Sequence, residues 1–494
     1  MAAFSWPDYA VLGGYGLTVL CVGLWAGRRE RDTQDYFLGG RRQHWLVACL
    51  SLLATEISAL TFVTVPGLSF AGNCYYLQYF VGSFLARLAI AAFLLPAFYA
   101  GGVTTVYEYL GQRFGPWTRT AATLLFFVSR LIGSGYRLLA CCLALSVVTG
   151  WPLESVIVAT LLVVLGYTTF GGIKAVMFTD VLQALLVVGG PVVVAVFLVR
   201  QLGAGPGELW VTAAQAGKLR VFDFSLNPQS DKVFYPAAIN AFFVTFAALG
   251  TDQALMQRLL TCPDLRRSRR SLLVQAVVAF PVVCLFLGTG VLLYLYYRQH
   301  ADPSLPAVSD KVFPHFVVTV LPAGLKGLLI AGLLAASMGS LDSALQSLST
   351  SAVVDLVRPT RLLRSDRAEL RAARLFVVLF GLLLLGASIG FARSQRLEGL
   401  ILQAFEMSSL VFGPMLGIFL LAVFTRHRGR DRANVLAMLS SAAALVVLRE
   451  SQRHYEVSFV AWPWYVVIGT AWTYLLACLF RTRRAEDDFA HLPS

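Results

Sequence analysis

The sequence is poor in charged side chains and in the polar segments from which soluble domains are built. Only 14% of its 494 residues are charged, and 57% are hydrophobic, whereas soluble domains carry about 25% charged residues. Its longest polar segment, at about 202–234, is too short to fold alone, although it has room for a short helix. This composition excludes a soluble body on a single anchor and predicts an all-α membrane protein.

The patterns that mark metal sites, disulfide frameworks and intramembrane enzymes are missing as well. The eight cysteines include no CxxC or CxxH spacing, and most lie in apolar segments, where they serve as small hydrophobic side chains. The six histidines lie mostly in polar loops and do not cluster. The sequence therefore predicts neither a metalloprotein nor an enzyme.

The net charge of +13 would suggest nucleic acid as a partner if the protein were soluble. Here the basic residues occur in short loops between apolar segments, where they orient a membrane protein. No soluble segment is large enough to carry a basic face for nucleic acid. We therefore expect the lipid bilayer, and no nucleic acid, around this chain.

Apolar segments long enough to cross a bilayer follow one another along most of the chain. Each crossing needs about 20 helical residues, and the pattern predicts about 13 transmembrane helices. The N-terminus lacks the basic region of a cleaved signal peptide, so we expect the first helix to remain. The predicted spans are 8–27, 45–71, 77–100, 120–149, 152–170, 177–199, 234–260, 272–298, 321–356, 374–392, 398–424, 432–449 and 460–480.

The distribution of basic residues predicts the orientation of these spans. With the N-terminus outside, the loops on the cytoplasmic side hold most of the lysines and arginines. These loops include GRRERD, CPDLRRSRR and RPTRLLRSDRAELRAAR. The inverse orientation would reverse the bias, so we predict an N-out, C-in protein.

Residues 51–67 (SLLATEISALTFVTVPG) combine an apolar span with five hydroxylated side chains and end on Pro66 and Gly67. A helix that faces lipid has no use for so many hydroxyls. They suit a helix that is interrupted near the middle of the bilayer, where freed carbonyls bind a cation. Glu56 lies in this cluster and is a functional candidate, because a charge in the membrane is costly without water or a partner.

Residues 335–351 (AASMGSLDSALQSLSTS) form a second polar cluster in an apolar span. Four small or hydroxylated residues share one helix face: Ala336, Gly339, Ser340 and Ser343. Such a face suits a close helix–helix contact. The added Asp342 favours a cation site instead, since hard cations bind oxygen ligands.

Residues 168–183 contain a predicted tight turn at Gly171 and Gly172, after which Thr179 and Asp180 open the next helix. Asp180 is then either the N-cap of that helix or a functional carboxylate among hydroxyls, and its neighbours favour the second interpretation. By contrast, nothing polar clusters in the sequence with three other charged residues, which we interpret as structural ion pairs or interfacial groups: Arg87, Arg258 and Glu406.

Residues 240–260 interrupt a phenylalanine-rich span with Gly250, Thr251 and Asp252, which predicts a second broken helix. The two interrupted spans begin five spans apart and on opposite sides of the membrane, which is the arrangement of inverted repeats. Transporters of this kind bind their ligand between the first helices of the two repeats. The predicted units within one domain, 1–494, are a leading helix (8–27), two repeats (45–199 and 234–424) and trailing helices (432–480).

Together these motifs resemble the sodium:solute symporter family. The matching elements are YFLGGR at 36–41, ATEISALTF at 54–62, GGIKAV and TDVLQ within 171–183, TDQALMQR at 251–258 and AASMGSLDSALQSLST at 335–350. They occur in family order over most of the chain. The resemblance implies a LeuT-type core and sodium (Na+) symport of a small organic solute by alternating access. The solute would be a sugar, an amino acid, a carboxylate or a sialic-acid-like compound.

The resemblance also implies the ligands of the coupling ion. The matching positions for one sodium ion are Ala54, Ile57, Ala336, Gly339 and Ser340, with Gly339 in place of a hydroxylated residue. A second sodium site maps to Asp180, Ser340, Asp342 and Ser343. Asp342 there replaces a hydroxyl with a carboxylate, and two facing carboxylates would bind a cation more firmly or share a proton.

The positions that match the substrate site are Ser58, Thr61, Gln78, Phe242, Thr245 and Phe246. The family arginine that binds the carboxylate of sialic acid is not matched, because Gly133 takes its place. Arg130 and Arg137 lie about one turn to either side of it on roughly the same face, so another anionic solute stays open. Residues implied in coupling or gating are Glu56, Arg130, Arg137 and Asp252.

Two alternatives remain open for the function. A proton-coupled transporter would use Glu56 and Asp342 as its coupling residues, and a solute sensor on the same fold would not transport at all. The short segment RTRRAEDDFAHLPS at the end is too small for a fused kinase or receiver domain. We expect a monomeric, multi-pass protein of the cell membrane, which is the inner membrane if the source is bacterial.

Overall fold

The computed structural model describes residues 4–27, 32–225, 233–363, 365–394, 400–425, 429–455, 460–462 and 464–480, and these residues form helices without any strand. The helices of the first half are α1 (Trp6–Gly27), α2 (Thr33–Leu38), α3 (Trp45–Glu56), α4 (Ala59–Ala71), α5 (Gln78–Ala89), α6 (Leu95–Ala100), α7 (Val106–Arg113), α8 (Pro116–Thr149), α9 (Leu153–Leu202) and α10 (Pro206–Gln215). Those of the second half are α11 (Phe234–Gly250), α12 (Gln253–Leu260), α13 (Leu265–Gln299), α14 (Val312–Thr319), α15 (Leu325–Ser351), α16 (Asp366–Arg393), α17 (Leu400–Phe424), α18 (Asp431–His454) and α19 (Trp464–Cys478).

Most of these helices are built to cross a membrane. In the ranges given above, nine helices are long and apolar enough, and two bent pairs raise the number to eleven. The 50-residue helix α9 would be about 75 Å long if straight, more than twice the roughly 30 Å of hydrocarbon in a bilayer. The prediction of an all-helical protein with many membrane spans is therefore confirmed.

Helix α9 changes direction at Gly172, which has a φ of 51° and a ψ of −156°. Glycine tolerates such a positive φ because it has no Cβ. A straight helix would separate the Cα atoms of Tyr167 and Asp180 by about 20 Å. Instead, Tyr167 donates to Asp342, and Asp180 shares the Arg258 guanidinium with the adjacent Ser343. The chain therefore turns back at Gly172, and α9 contains the two predicted spans 152–170 and 177–199.

The position of this turn corrects the interpretation of Asp180 as a helix cap. The second half of α9 resumes directly after Gly172, so Asp180 lies about two turns inside it. A residue at that depth has no free backbone amide to cap. Its carboxylate points sideways, to the neighbouring helices α3 and α12.

The first hydroxyl-rich span is broken, as predicted. Helices α3 and α4 are bent by 62° relative to each other. Between them Ile57 (φ −80°, ψ 95°) and Ser58 (φ −85°, ψ 167°) are extended. The break comes well before Pro66, which lies inside α4.

Pro66 has a different role in the packing of α4. A Cβ added at Gly290 of α13 would overlap the carbonyl oxygen of Pro66, and one added at Gly67 would lie 2.7 Å from the carbonyl oxygen of Ser309. Because Gly67 and Gly290 have no side chains, the backbone of α4 lies in direct contact with the backbone of α13 and of the segment at Ser309.

The second predicted break is confirmed between α11 and α12, which are bent by 64°. Helix α11 ends at Gly250. Asp252 is extended (φ −85°, ψ 121°), and its Oδ1 accepts the amide of Ala254 at 2.8 Å. It is thus the N-cap of α12 and stabilises the restart of the helix.

Helix α15 lies at the centre of the bundle. In its most apolar stretch 94% of the residues are buried, against at most 72% for the other long spans in the described part of the chain. It packs against α9, α8, α1, α16 and α3. The helix that carries the predicted cation ligands is therefore shielded on all sides by protein.

The leading helix α1 packs on α9 and α15. Asp8, near its start, is buried, and its Oδ1 accepts the amides of Gly324 and Gly327 at 2.8 and 2.9 Å. These amides belong to the first turn of α15, where a carboxylate satisfies free donors and complements the helix dipole. The first helix is thus bound to the start of the central one.

The polar segment at about 202–234 contains the expected short helix, α10. The chain after α10 packs on the ends of α4 and α5: Lys218 Nζ donates to the carbonyl of Phe70 at 2.6 Å, and the amide of Asp223 donates to Gln78 Oε1 at 3.0 Å. Residues 226–232 of this segment lie outside the described residues.

Candidate functional site

The break after α3 faces the middle of α15. Thr55 Oγ1 and Ser343 Oγ are 3.4 Å apart across this contact. A helix that ends here leaves its last carbonyls without intrahelical partners, and the amide of Ile57 takes only the carbonyl of Leu53. The residues predicted as ligands of one sodium ion are all buried: Ala54, Ile57, Ala336, Gly339 and Ser340.

Gly339, which lacks the hydroxyl expected at its position, faces two polar side chains of α9. A Cβ added at Gly339 would overlap Gln183 Oε1 and lie 3.0 Å from Asp180 Oδ1. Both oxygens are buried and have no hydrogen-bond partner among the residues that the structure describes. Glycine at 339 therefore gives room to two unpartnered oxygens from a neighbouring helix.

Arg258 of α12 enters the region predicted for a second sodium ion. Its Nη2 lies 2.8 Å from Asp180 Oδ2, and its Nε donates to Ser51 Oγ at 2.7 Å. The same Nη2 contacts Ser343 Oγ. Arg258 is therefore in a structural ion pair, one of the two interpretations given for it, and is a fixed cation between two of the predicted ligands.

Asp342, the other carboxylate of that region, has separate partners. Tyr167 Oη donates to its Oδ2 at 2.6 Å, and Ser343 Oγ lies 3.2 Å from its Oδ1. The side chain is fully buried, and no basic side chain in the described ranges forms an ion pair with it. Of the four residues predicted for the second site, Asp180 and Ser343 thus share Arg258, whereas Ser340 binds Arg137 and Asp342 binds Tyr167.

Arg130 and Arg137 extend from one face of α8, as predicted, and both reach Ser340 of α15. Arg130 Nη2 lies 3.5 Å from the carbonyl oxygen of Ser340. Arg130 Nη1 pairs with Asp252 Oδ2 at 3.2 Å, at the break between α11 and α12. Arg137 Nη1 donates to Ser340 Oγ at 3.1 Å on α15. The two arginines therefore connect the second break to the helix with the sodium positions.

Glu56 lies at the end of α3 and forms an ion pair with Arg87. It also accepts from Gln275 of α13, and Arg87 Nε donates to Gln275 Oε1 at 3.2 Å. Glu406 pairs with Arg449 at 2.7 Å. Arg87 and Glu406 are thus ion-paired, as expected, and Glu56 holds α3 against α5 and α13.

The positions predicted for the substrate lie in three places. Ser58 and Thr61 are at and just after the first break. Three lie on α11, where the rings of Phe242 and Phe246 make an edge contact at 5.6 Å and Thr245 Oγ1 donates to Ser83 Oγ at 2.9 Å. Gln78 is buried at the start of α5 and is bound to the backbone of Tyr75 and Asp223. It thus holds the segment after α10.

Comparison with known proteins agrees with this architecture. The profile of the Sodium:solute symporter family matches residues 36–438. The chain belongs to this family. It is a sodium-coupled solute symporter, a multi-pass membrane transporter with sodium as its coupling ion.

Relatives of the symporter share its sequence over most of their length. It is 30% identical over 456 residues to the sodium/sialic acid symporter SiaT of Proteus mirabilis. This alignment covers 90% of the present chain and 89% of SiaT. It is 30% identical over 448 residues to the human sodium-coupled monocarboxylate transporter 1, with 89% and 73% covered. It is also 30% identical over 451 residues to the human sodium/iodide cotransporter, with 89% and 68% covered.

Solved structures place the symporter in the LeuT-like fold. A sodium-coupled sialic acid symporter in a substrate-bound, outward-open state superposes with a TM-score of 0.85 at 28% identity, covering 96% of this chain and 98% of the other. MhsT in complex with L-phenylalanine gives a TM-score of 0.53 at 17% identity, covering 89% and 98%. The second likeness concerns the fold alone.

Proposed function

We propose that the symporter carries one small organic solute together with sodium by alternating access, and that sodium binds between the first helix break and α15. The ligands would be the carbonyls of Ala54, Ile57, Ala336 and Gly339 and the hydroxyl of Ser340. The contact of Thr55 with Ser343 supports this most directly, because it brings the free helix end against the small, oxygen-rich face of α15.

The solute would bind beside the sodium ion, between the start of α4 and α11. Ser58 and Thr61 supply hydroxyls there, and Phe242, Thr245 and Phe246 supply an aromatic wall with one hydroxyl. Relatives named for sialic acid, monocarboxylates and iodide support anions among the solute classes. Sugars and amino acids remain alternatives that the experiment below separates.

Coupling between the two ligands follows from the energetics of the ion. Sodium that enters a negative-inside cell releases about 2.3 kcal/mol per 100 mV, in addition to its concentration term. If bound sodium stabilises the outward-open state in which the solute binds, each ligand raises the affinity for the other. The ion gradient then drives accumulation of the solute.

The full architecture of this proposal has 13 membrane helices in an N-out, C-in orientation, with repeats at 45–199 and 234–424. The eleven spans counted above, the turn of α9 at Gly172 and the short apolar helix α19 support that number. The basic loops support the orientation. The protein would act as a monomer in the cell membrane.

Thermal unfolding of the purified protein tests the proposal. We expect sodium chloride to raise the melting temperature relative to choline chloride, and potassium chloride not to do so, because a bound ion stabilises the folded state by mass action. An unchanged melting temperature at saturating sodium would exclude sodium coupling. Stabilisation by acid instead of sodium would favour the proton-coupled alternative.

A screen of solutes then separates transport from sensing. Sugars, amino acids and carboxylates are added with and without sodium, and a solute that stabilises only with sodium is tested for uptake into proteoliposomes. A sodium gradient should drive its accumulation. Binding without uptake would favour a sensor.

A further inference from the structure

One arginine near the two helix breaks has no carboxylate partner. The other three are paired: Arg87 with Glu56, Arg130 with Asp252, and Arg258 with Asp180. Arg137, in the middle of α8, forms no ion pair with any side chain in the described part of the protein. A guanidinium within a membrane span is costly unless it faces a partner, water or a ligand.

The surroundings of Arg137 leave most of its donors free. Its hydrogen bond to Ser340 Oγ uses one of five N–H groups. The side chain is half-buried, so the described residues do not cover it completely. On the same face of α8, Ser134 Oγ and Arg130 Nε are buried without hydrogen-bond partners within the residues described. This face therefore offers donors that lack acceptors.

The acceptor that Arg137 does use is the hydroxyl proposed as a sodium ligand. Two positive charges bound to one oxygen atom repel each other more strongly inside a protein than in water. Sodium at Ser340 and the guanidinium on the same oxygen therefore exclude each other. When sodium binds, Arg137 must leave Ser340 and find another acceptor.

We propose that Arg137 is the anion-binding residue of the substrate site and that sodium releases it from Ser340 for this role. This inference rests on the proposed function. The planar guanidinium matches a carboxylate through two parallel hydrogen bonds. Arg130, two turns earlier on the same face of α8, pairs with Asp252, so this face of α8 lies between the second break and α15. The solute class is then a small carboxylate, which binds after sodium.

A sodium titration without any solute tests the release step. Arg137→Gln removes the competing charge, so we expect its melting temperature to respond to about tenfold less sodium than that of the wild type. Arg393→Gln is the matched control, since its exposed guanidinium pairs with Glu154 and makes no contact with Ser340 among the described residues. Unchanged or weaker sodium affinity in Arg137→Gln would overturn the proposal.

Pairs of acids and neutral analogues test the anion step at saturating sodium. The probes are lactate and lactamide, propanoate and propanamide, and N-acetylneuraminate and its methyl ester. We expect the wild type to prefer at least one acid by about tenfold, Arg137→Lys to retain part of the preference, and Arg137→Gln to lose it. No preference in the wild type, or a full preference in Arg137→Gln, would overturn the inference.

The two proposals fail in different ways. If sodium does not stabilise the wild type, sodium coupling itself is excluded. If sodium stabilises the wild type but no acid is preferred over its neutral analogue, only the role of Arg137 is excluded.

Discussion

The guanidinium of Arg258 lies 2.8 Å from the carboxylate of Asp180, and the two side chains are only 1% and 0% exposed. They meet where the sequence predicts a second sodium ion. The guanidinium of Arg258 supplies there the positive charge that a second sodium ion would otherwise supply. We therefore expect uptake to depend on sodium with a Hill coefficient of about one. A Hill coefficient near two in proteoliposomes would show that Arg258 leaves the site during the cycle.

The Asp180–Arg258 pair should matter strongly for stability. Removing one partner leaves a buried charge without compensation, at a cost of about 3–5 kcal/mol. We expect Asp180→Asn and Arg258→Gln each to lower the melting temperature in detergent far more than Arg393→Gln at an exposed pair. The double variant should be less destabilised than the sum of the single changes. Additive effects would contradict a direct pairing.

Two serines of α15 provide a matched test of the sodium site. Ser340 Oγ accepts from Arg137 and is the proposed ligand, whereas Ser337 Oγ is buried and has no hydrogen-bond partner in the described part of the chain. We expect Ser340→Ala to weaken sodium affinity by about tenfold and Ser337→Ala to leave it unchanged. The measurement is the sodium concentration at half-maximal thermal stabilisation. Equal affinities in the two variants would rule out this face of α15 as the site.

Restoring the family hydroxyl at Gly339 should fail unless space is made for it. The new Cβ would overlap Gln183 Oε1 and approach Asp180 Oδ1 to 3.0 Å. We expect Gly339→Ser alone to destabilise the protein by about 1–3 kcal/mol, as overpacking does. Gly339→Ser with Gln183→Ala should regain stability and bind sodium more tightly than Gly339→Ala with Gln183→Ala. Equal sodium affinity in the two double variants would show that residue 339 is not a side-chain ligand position.

The two helix breaks could be predicted from the sequence because their signals are local. Gly250, Thr251 and Asp252 stand at the second break itself, and Asp252 caps the helix that follows. The first break was harder to place. Pro66 is a strong local signal for an interruption, yet the chain breaks at Ile57 and Ser58, and Pro66 lies inside α4.

The contacts of Asp180 could not be predicted in the same way. Its partner Arg258 is 78 residues away in the chain, and periodicity does not reveal which faces of two helices meet. The turn at Gly172, by contrast, could be predicted, because the adjacent Gly171 and Gly172 are a local signal. The residue missed at the candidate site was therefore one defined by tertiary contact, and a search for a basic partner to each membrane carboxylate would have signalled it.

The cap that Asp8 places on the first turn of α15 has a consequence for how motion in this symporter can be observed. Through Gly324 and Gly327 the leading helix is attached to the helix with the sodium positions. If the broken helices α3–α4 and α11–α12 move during transport, α1 must therefore keep its position relative to α15. A spectroscopic label on α1 would then serve as a stationary reference, against which displacement of α4 or α12 is measured as a change in distance.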